Sequence, residues 1–251
     1  MSQHDDLYRS AMERVPPFSF NDKVAAVFPD MIQRSVPGYA QVLSLLPSLV
    51  GYILPTLAAN APRRIYDLGC SHGAGLLAAA QGLAALGDSQ SYELIGVDNS
   101  QAMIAHARQN EGHFERQHQV AFLEHDILKL DLQPNCLVLM HYTLQFLPID
   151  QRAMMIERIA HSLCPGGVFI LSEKLAFSNN EVQTMLTGIH HQFKQNQGYS
   201  ELEVSQKRDA IEKVLVSESL ATHIERLQQA GFRWVTPWVQ NLQFVSLLAV
   251  K

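Results

Sequence analysis

Beyond residue 63 the chain alternates short apolar runs with longer amphipathic stretches. Residues 64–68 (RIYDL), 92–97 (YELIGV), 119–124, 136–140 and 168–172 read as short buried strands. The stretches between them have helical character: 73–86, rich in Ala and Leu, 101–110 with Ser100 as N-cap, and 151–163 with Asp150 as N-cap. Pro165-Gly166-Gly167 forces a turn into the fifth strand. Helices are predicted over 180–196, 201–216 and 220–230, and two last strands, 232–239 and 242–250, are close enough to pair as a hairpin. The alternation predicts an α/β fold around a mostly parallel seven-stranded sheet with an antiparallel C-terminal hairpin. Residues 1–60 read as a helical N-terminal cap, with loops at Pro16-Pro17 and Pro37-Gly38. The expected organisation is one domain: the cap 1–60, then an α/β core 61–251 carrying a helical insert at about 176–218.

Composition narrows the partners. Nineteen Lys+Arg face 24 Asp+Glu, a net charge of −5, and only 17% of the 251 residues are charged. A surface that grips phosphates is usually basic, because phosphate neutralisation supplies most of its affinity. Here the paired bases are Arg63-Arg64 and Lys207-Arg208, and neither extends into a stripe, so no direct contact with nucleic acid is expected. The 47% hydrophobic content excludes intrinsic disorder. The apolar run around 42–57 contains Pro47 and Pro55, which should break it, so no membrane span is expected. The N-terminus has acids where a secretory signal has bases, and no apolar segment follows. Three cysteines, none in a CxxC pair, fit a reducing cytoplasm. No HxxxH or His/Cys spacing suggests a metal.

The strongest local signal is Asp67-Leu68-Gly69-Cys70-Ser71-His72-Gly73-Ala74-Gly75, at the first strand–helix junction. Ligands of open α/β sheets bind beside such turns. The spacing is neither GxGxxG, since Ser71 replaces the middle glycine, nor a Walker A loop. Asp98 closes the second strand, where a carboxylate can accept both hydroxyls of a ribose, and Asn99 follows. Asp126-Ile127 comes after the third: a carboxylate for an amino group beside an apolar side chain for a flat ring. Acids at the ends of three successive strands outline a nucleoside-shaped pocket. Cys70 lacks a partner to activate it as a nucleophile, and His72 reads as solvent-facing. His190-His191, on a helix of the C-terminal insert, could reach a substrate but read more readily as structural, and Trp234 and Trp238, four apart on a strand, as packing residues on one face.

This constellation resembles the Rossmann-like class I S-adenosylmethionine (SAM)-dependent methyltransferase fold over residues 60–251. A narrower resemblance spans nearly the whole chain. It rests on VFPDMIQRSVPGY (27–39), TLQFL (143–147), LSEK (171–174), NQGYSELE (196–203) and SQKR (205–208). These blocks are similar to those of the carboxy-S-adenosyl-L-methionine synthase family, whereas general methyltransferases share none of them. The resemblance implies conversion of SAM and prephenate to carboxy-SAM and phenylpyruvate, without a metal. Loss of carbon dioxide and hydroxide from prephenate supplies a base for the sulfonium methyl and the carbon dioxide that the resulting ylide traps. No protein general base is then needed, and the protein's part is confinement, orientation and exclusion of water.

Carried over by the resemblance, Tyr39 contacts the ligand, and Gly69, Cys70 and Ser71 line its amino-acid end. Asp98 and Asn99 hold the ribose region, Asp126 and Ile127 the adenine, and Arg208 the new carboxylate, for which a guanidinium fork is suited. His141 stands where the family generally has Asn, and is expected to contact the ligand as a neutral ring. The resemblance also implies a cytoplasmic homodimer whose product passes to a partner enzyme that modifies a wobble uridine of tRNA. The alternatives are a SAM-dependent methyltransferase of a small molecule or tRNA, and a non-catalytic SAM-binding regulator.

Overall fold

A computed structural model describes residues 3–84 and 91–251. The predicted end of the helix at 85–86 and the first two residues of the N-terminal segment lie outside the described residues. The elements are α1 (Asp22–Ser35), α2 (Tyr39–Ile53), β1 (Arg64–Leu68), α3 (Ala74–Ala84), β2 (Glu93–Asp98), α4 (Gln101–Gln109), β3 (Gln119–Glu124), β4 (Asn135–His141), α5 (Ile149–Ser162), β5 (Leu163–Lys174), α6 (Asn180–Asn196), α7 (Glu201–Ile211), α8 (Leu220–Gln229), β6 (Trp234–Asn241) and β7 (Phe244–Val250).

One seven-stranded sheet runs in the order β3-β2-β1-β4-β5-β7-β6. Strands β1 to β5 are parallel, and β7 is antiparallel to both β5 and β6. The strand order reverses between β1 and β4, which opens a crevice at their carboxyl ends. Both faces are packed. Along β4, Leu137 and Leu139 enter the core shared with α2 and α3, while Val138 and Met140 enter the core shared with α5 and α8. That two-sided burial explains why β4 reads as an unbroken apolar run.

Several boundaries differ from the sequence reading, each for a local reason. Strand β5 begins at Leu163, directly after α5, so Pro165-Gly166-Gly167 lies inside it as a bulge: Asn135 pairs with Leu163 and Leu137 with Val168. Lys251 holds that bulge, donating its N–H to Gly167 O (3.0 Å) and accepting from Gly166 N (3.1 Å). Helix α5 starts two residues before Gln151, with Pro148 at the cap position and Asp150 in the first turn, where its charge complements the helix dipole. Helix α7 stops at Ile211 because the chain beyond it is bound to another element: Val216 N donates to Gln145 O at 3.0 Å. Pro47 does not break α2; the apolar stretch Tyr39–Thr56 is helical throughout, long and apolar enough to cross a membrane by those two measures. Its Val42, Leu46 and Val50 are buried, and Gly82 of α3 permits the close approach, since a Cβ there would lie 2.6 Å from Pro47 O. In the hairpin a bulge falls between Pro237 and Val239. Trp238 packs against the core and donates Nε1–H to Ser246 Oγ (2.8 Å), whereas Trp234 is exposed beneath the Arg233 guanidinium.

Candidate active site

A cavity of about 360 Å³ opens at the carboxyl ends of the parallel strands. Tyr39, Gly69, Cys70, Ser71, Asp98, Asn99, Asp126, Ile127 and His141 all line it. Nine of the ten residues singled out in the sequence are thus brought together from α2 and four strand ends; the tenth, Arg208, is not among them.

The turn after β1 is fixed to the end of β2. Gly69 N and Cys70 N both donate to Val97 O (2.7 and 3.0 Å). Ser71, itself at φ +48°, donates its N–H to Asp98 Oδ2 (3.0 Å). Gly69 adopts φ +80°, and any side chain there would collide with Thr143. Asp98 Oδ1 also accepts from Ser100 N (2.9 Å), which orients the carboxylate while leaving lone pairs for a ligand. Asp126 is oriented likewise by Leu128 N (3.0 Å). Burial pushes the Asp98 carboxyl upward, opposed by its two backbone donors. Cys70 is buried, and burial together with Asp67 and Asp98 raises its thiol well above the ordinary value, which suits a lining role.

Asp67 belongs to this wall more intimately than its place in the motif suggests. It is almost fully buried, accepts from Leu76 N at 3.1 Å, and burial lifts its carboxyl to about 7. A Cβ on Gly75 would lie 2.9 Å from Asp67 Oδ2 and 3.1 Å from His141 Cδ2, so the absent side chain makes room for both.

His141 closes β4. Its Nδ1 is 2.8 Å from Ser172 Oγ, and Ser172 commits its own hydroxyl proton to Ser246 Oγ (2.9 Å). Nδ1 therefore carries the hydrogen, and Nε2, buried with no partner, presents a lone pair. Burial lowers the ring to about 4, so it is neutral at pH 7. Tyr142 follows at φ +57°, a strained conformation for a large side chain, and turns its ring between Tyr39 and Phe244. The next turn is anchored by Gln145, which accepts from Lys174 N (3.2 Å), while Arg152, wholly buried, donates to Gln145 O (3.0 Å) and to Glu218 (2.5 Å).

A family model described as a methyltransferase domain matches residues 65–167. Among solved structures, a candidate O-methyltransferase of Nostoc punctiforme superposes with a TM-score of 0.61 at 17% identity, over 92% of this chain but only 59% of that one. The magnesium protoporphyrin IX methyltransferase of Synechocystis PCC 6803, solved with bound SAM, gives 0.55 at 17% identity, over 88% and 84% of the two chains. Likeness at that identity speaks for the fold. The curated relatives are nearer. The carboxy-S-adenosyl-L-methionine synthase of Photorhabdus laumondii is 41% identical, covering 99% of this chain and 95% of its own. That of Hahella chejuensis is 42% identical, over 98% of each. The chain belongs to the carboxy-S-adenosyl-L-methionine synthase family.

The blocks that carry the family resemblance meet in space. Asp5 Oδ2 accepts from Tyr199 OH (2.5 Å) and Lys207 Nζ (3.1 Å), and Lys207 also donates to Ser35 Oγ (2.9 Å). Arg34 binds Asp30 Oδ2 and Asp5 O (2.8 Å each) and stacks 4.0 Å above the Tyr199 ring. The VFPDMIQRSVPGY block of α1 and the GYSELE and SQKR blocks of α7 are therefore two sides of one lock that shuts α6 and α7 over the cavity. Within SQKR, Lys207 lines the cavity and is buried, whereas Arg208 has its side chain 42% exposed and pairs with Asp209 at 3.2 Å. Adjacent helical residues point about 100° apart, so the two bases cannot share a direction.

Sequence reasoning also missed Lys174 and Lys194, which line the same cavity. His190, one turn before Lys194, lines the cavity too, and both its nitrogens are engaged: Nε2–H donates to Ser35 O (2.8 Å) and Nδ1 accepts from Gln243 (3.3 Å). His72 does not face solvent; it stacks on His106 with centroids 4.7 Å apart, and burial lowers it to about 4. Among the described residues no cluster of His, Cys, Asp or Glu could hold a metal ion.

Proposed function

We propose that the chain converts SAM and prephenate into carboxy-SAM, phenylpyruvate and water. The observation that carries this reading is near-full-length identity of about 40% to curated carboxy-S-adenosyl-L-methionine synthases. The site fits the first substrate. SAM is a net cation at neutral pH, and it would face the carboxylates of Asp98 and Asp126, with Asp67 about half ionised behind them and able to give up its proton beside a cation. In this reading Gly69, Cys70 and Ser71 take its amino-acid end, Asp98 and Asn99 its ribose, Asp126 and Ile127 its adenine, and Tyr39 packs against it. The bare Nε2 of His141 accepts a hydrogen bond from the ligand, replacing the Asn usual in the family.

The reacting groups belong to the substrates. Prephenate aromatises by losing carbon dioxide and hydroxide; the hydroxide takes a proton from the sulfonium methyl and leaves as water; the carbanion electron pair then forms the new bond to carbon dioxide. The protein holds the two molecules in contact and keeps out other proton donors. Phe18, Phe20, Phe28 and Phe146 supply an apolar wall for this, Phe20 meeting Phe18 and Phe146 edge-on at 5.1 and 5.4 Å. Arg208, outside the cavity of its own chain, serves as carboxylate anchor for a second copy in a homodimer. The cytoplasmic product then goes to a separate tRNA-modifying enzyme, leaving this acidic chain without nucleic-acid contacts of its own.

Denaturing the purified protein and weighing the released ligand tests the activity. SAM heavier by one carboxyl group supports it, whereas bare SAM or its demethylated product after prephenate is supplied sinks it. Arg208→Ala is expected to lose carboxy-SAM retention while keeping SAM binding; equal loss of both ligands rejects the anchor role.

A further inference from the structure

Charge is sorted by strand order at the mouth of the sheet. The ends of β3, β2 and β1 carry Asp126, Asp98 and Asp67 into the cavity, β4 carries the neutral His141, and β5 carries Lys174. Helices α6 and α7 add Lys194 and Lys207 to the basic side. Of these three lysines, Lys207 is accounted for by Asp5 and Ser35. Lys194 and Lys174 are not: among the described residues neither ammonium has a hydrogen-bond or ion-pair acceptor. Lys194 is only 8% exposed and faces the cavity, so its ammonium is largely withdrawn from bulk water with no direct partner, Asp5 offsetting part of that cost at longer range.

We propose that Lys194 of α6 and Lys174 at the end of β5 form the subsite that receives the carboxylates of the second substrate, a small dicarboxylate. This deepens the reading above and rests on it for the identity of that substrate as prephenate.

An unpaired buried ammonium is costly unless something repays it. Fold architecture does not require it here, because the lock between α1 and α7 is built from Asp5, Asp30, Arg34, Tyr199 and Lys207. Lys194 instead follows His190 by one helical turn, so the ring seated on Ser35 O and against Phe244 (5.0 Å) aims the lysine at the same interior. Burial and the charges of Lys207 and Lys174 lower its ammonium to about 7. Burial lowers Lys174 too, opposed by Glu212, and His191, Arg208 and Asp5 complete the charged surroundings. A dianion entering this side meets two lysines with free donors, and its charge favours their protonated form. A cationic ligand such as SAM meets the opposite wall. The two substrates are thereby admitted to opposite sides of one cavity, with His141 between them.

Lys194→Met and Lys174→Met keep the apolar stem and remove the charge. In the full-length protein each variant is expected to raise KM for prephenate about 10-fold or more, with SAM affinity by calorimetry within about two-fold of the parent. Lys194→Met should also melt no lower than the parent, since an uncompensated buried charge is gone, and Lys194→Arg should recover part of the KM. Unchanged KM for prephenate, or SAM binding weakened in its place, overturns the subsite. Direct titration with prephenate and with the inert dicarboxylate malonate separates the two readings. If the parent turns over no prephenate yet binds these dicarboxylates through Lys194 and Lys174, the synthase reading falls and the subsite stands. If turnover proceeds and both variants match the parent, the subsite falls and the synthase reading stands.

Discussion

The two walls of the cavity are built by different means. The acidic wall is local. Asp67, Asp98 and Asp126 stand at the ends of neighbouring strands, and each is oriented by backbone N–H groups within a few residues of itself or of the glycine turn. The basic wall is assembled from afar: Lys207 meets Asp5 across 202 positions of sequence, and Lys174 and Lys194 come from different elements. A wall of strand ends forms as the sheet itself forms. The basic wall is closed by long-range contacts, and it is built from the sequence blocks that carry the family resemblance.

The comparison breaks most visibly at Arg152, the buried foundation of the basic side. Arg152→Ala removes partners from Gln145 O and Glu218, and should cost about 3–5 kcal/mol in chemical denaturation. A loss below about 1 kcal/mol shows that Glu218 is satisfied by Arg226 alone. On the acidic side, Asp98→Ala removes the acceptor proposed for two ribose hydroxyls, each worth about 1.5 kcal/mol, and should weaken SAM binding about 100-fold by calorimetry. An unchanged affinity moves the ribose elsewhere.

His141 divides the walls and offers the finest test. Its ring titrates near 4 in the folded chain against 6.5 for an ordinary histidine. As pH falls below 6.5 the unfolded chain takes a proton that the folded chain refuses, so stability present at neutral pH is lost on the way down to about 4. His141→Asn should leave stability at pH 7 nearly unchanged and shrink the loss between pH 7 and 4 by up to about 3 kcal/mol. Parallel pH curves for the two proteins place the ring in a solvated setting.

What could be read from the sequence follows the same division. The strand ends and their acids were legible because a strand's exit, a glycine turn and a carboxylate lie side by side in the chain. The basic wall was not. Lys174 was marked only as the end of a strand and of the LSEK block, and nothing near Lys194 marks it as interior, since its burial comes from α6 and α7 folding back onto α1. Lys207-Arg208 shows the limit most clearly: as a dipeptide it is merely basic, and only the helix's register sends Lys207 inward and Arg208 out. The prolines misled for the opposite reason. Pro47 signals a break, but packing on Gly82 keeps α2 continuous.

The bond between Asp5 and Lys207 has a consequence for how the molecule comes into being. During synthesis, Asp5 leaves the ribosome some 202 residues before its partner. The sheet edge β3-β2-β1 and its acids can form from the first half of the chain, with contacts of short sequence span. The compartment shuts only when α7 has been made and has reached back to the start. A nascent chain therefore has its acidic strand ends in place well before α7 closes over the opposite side of the cavity, which happens only near the end of translation.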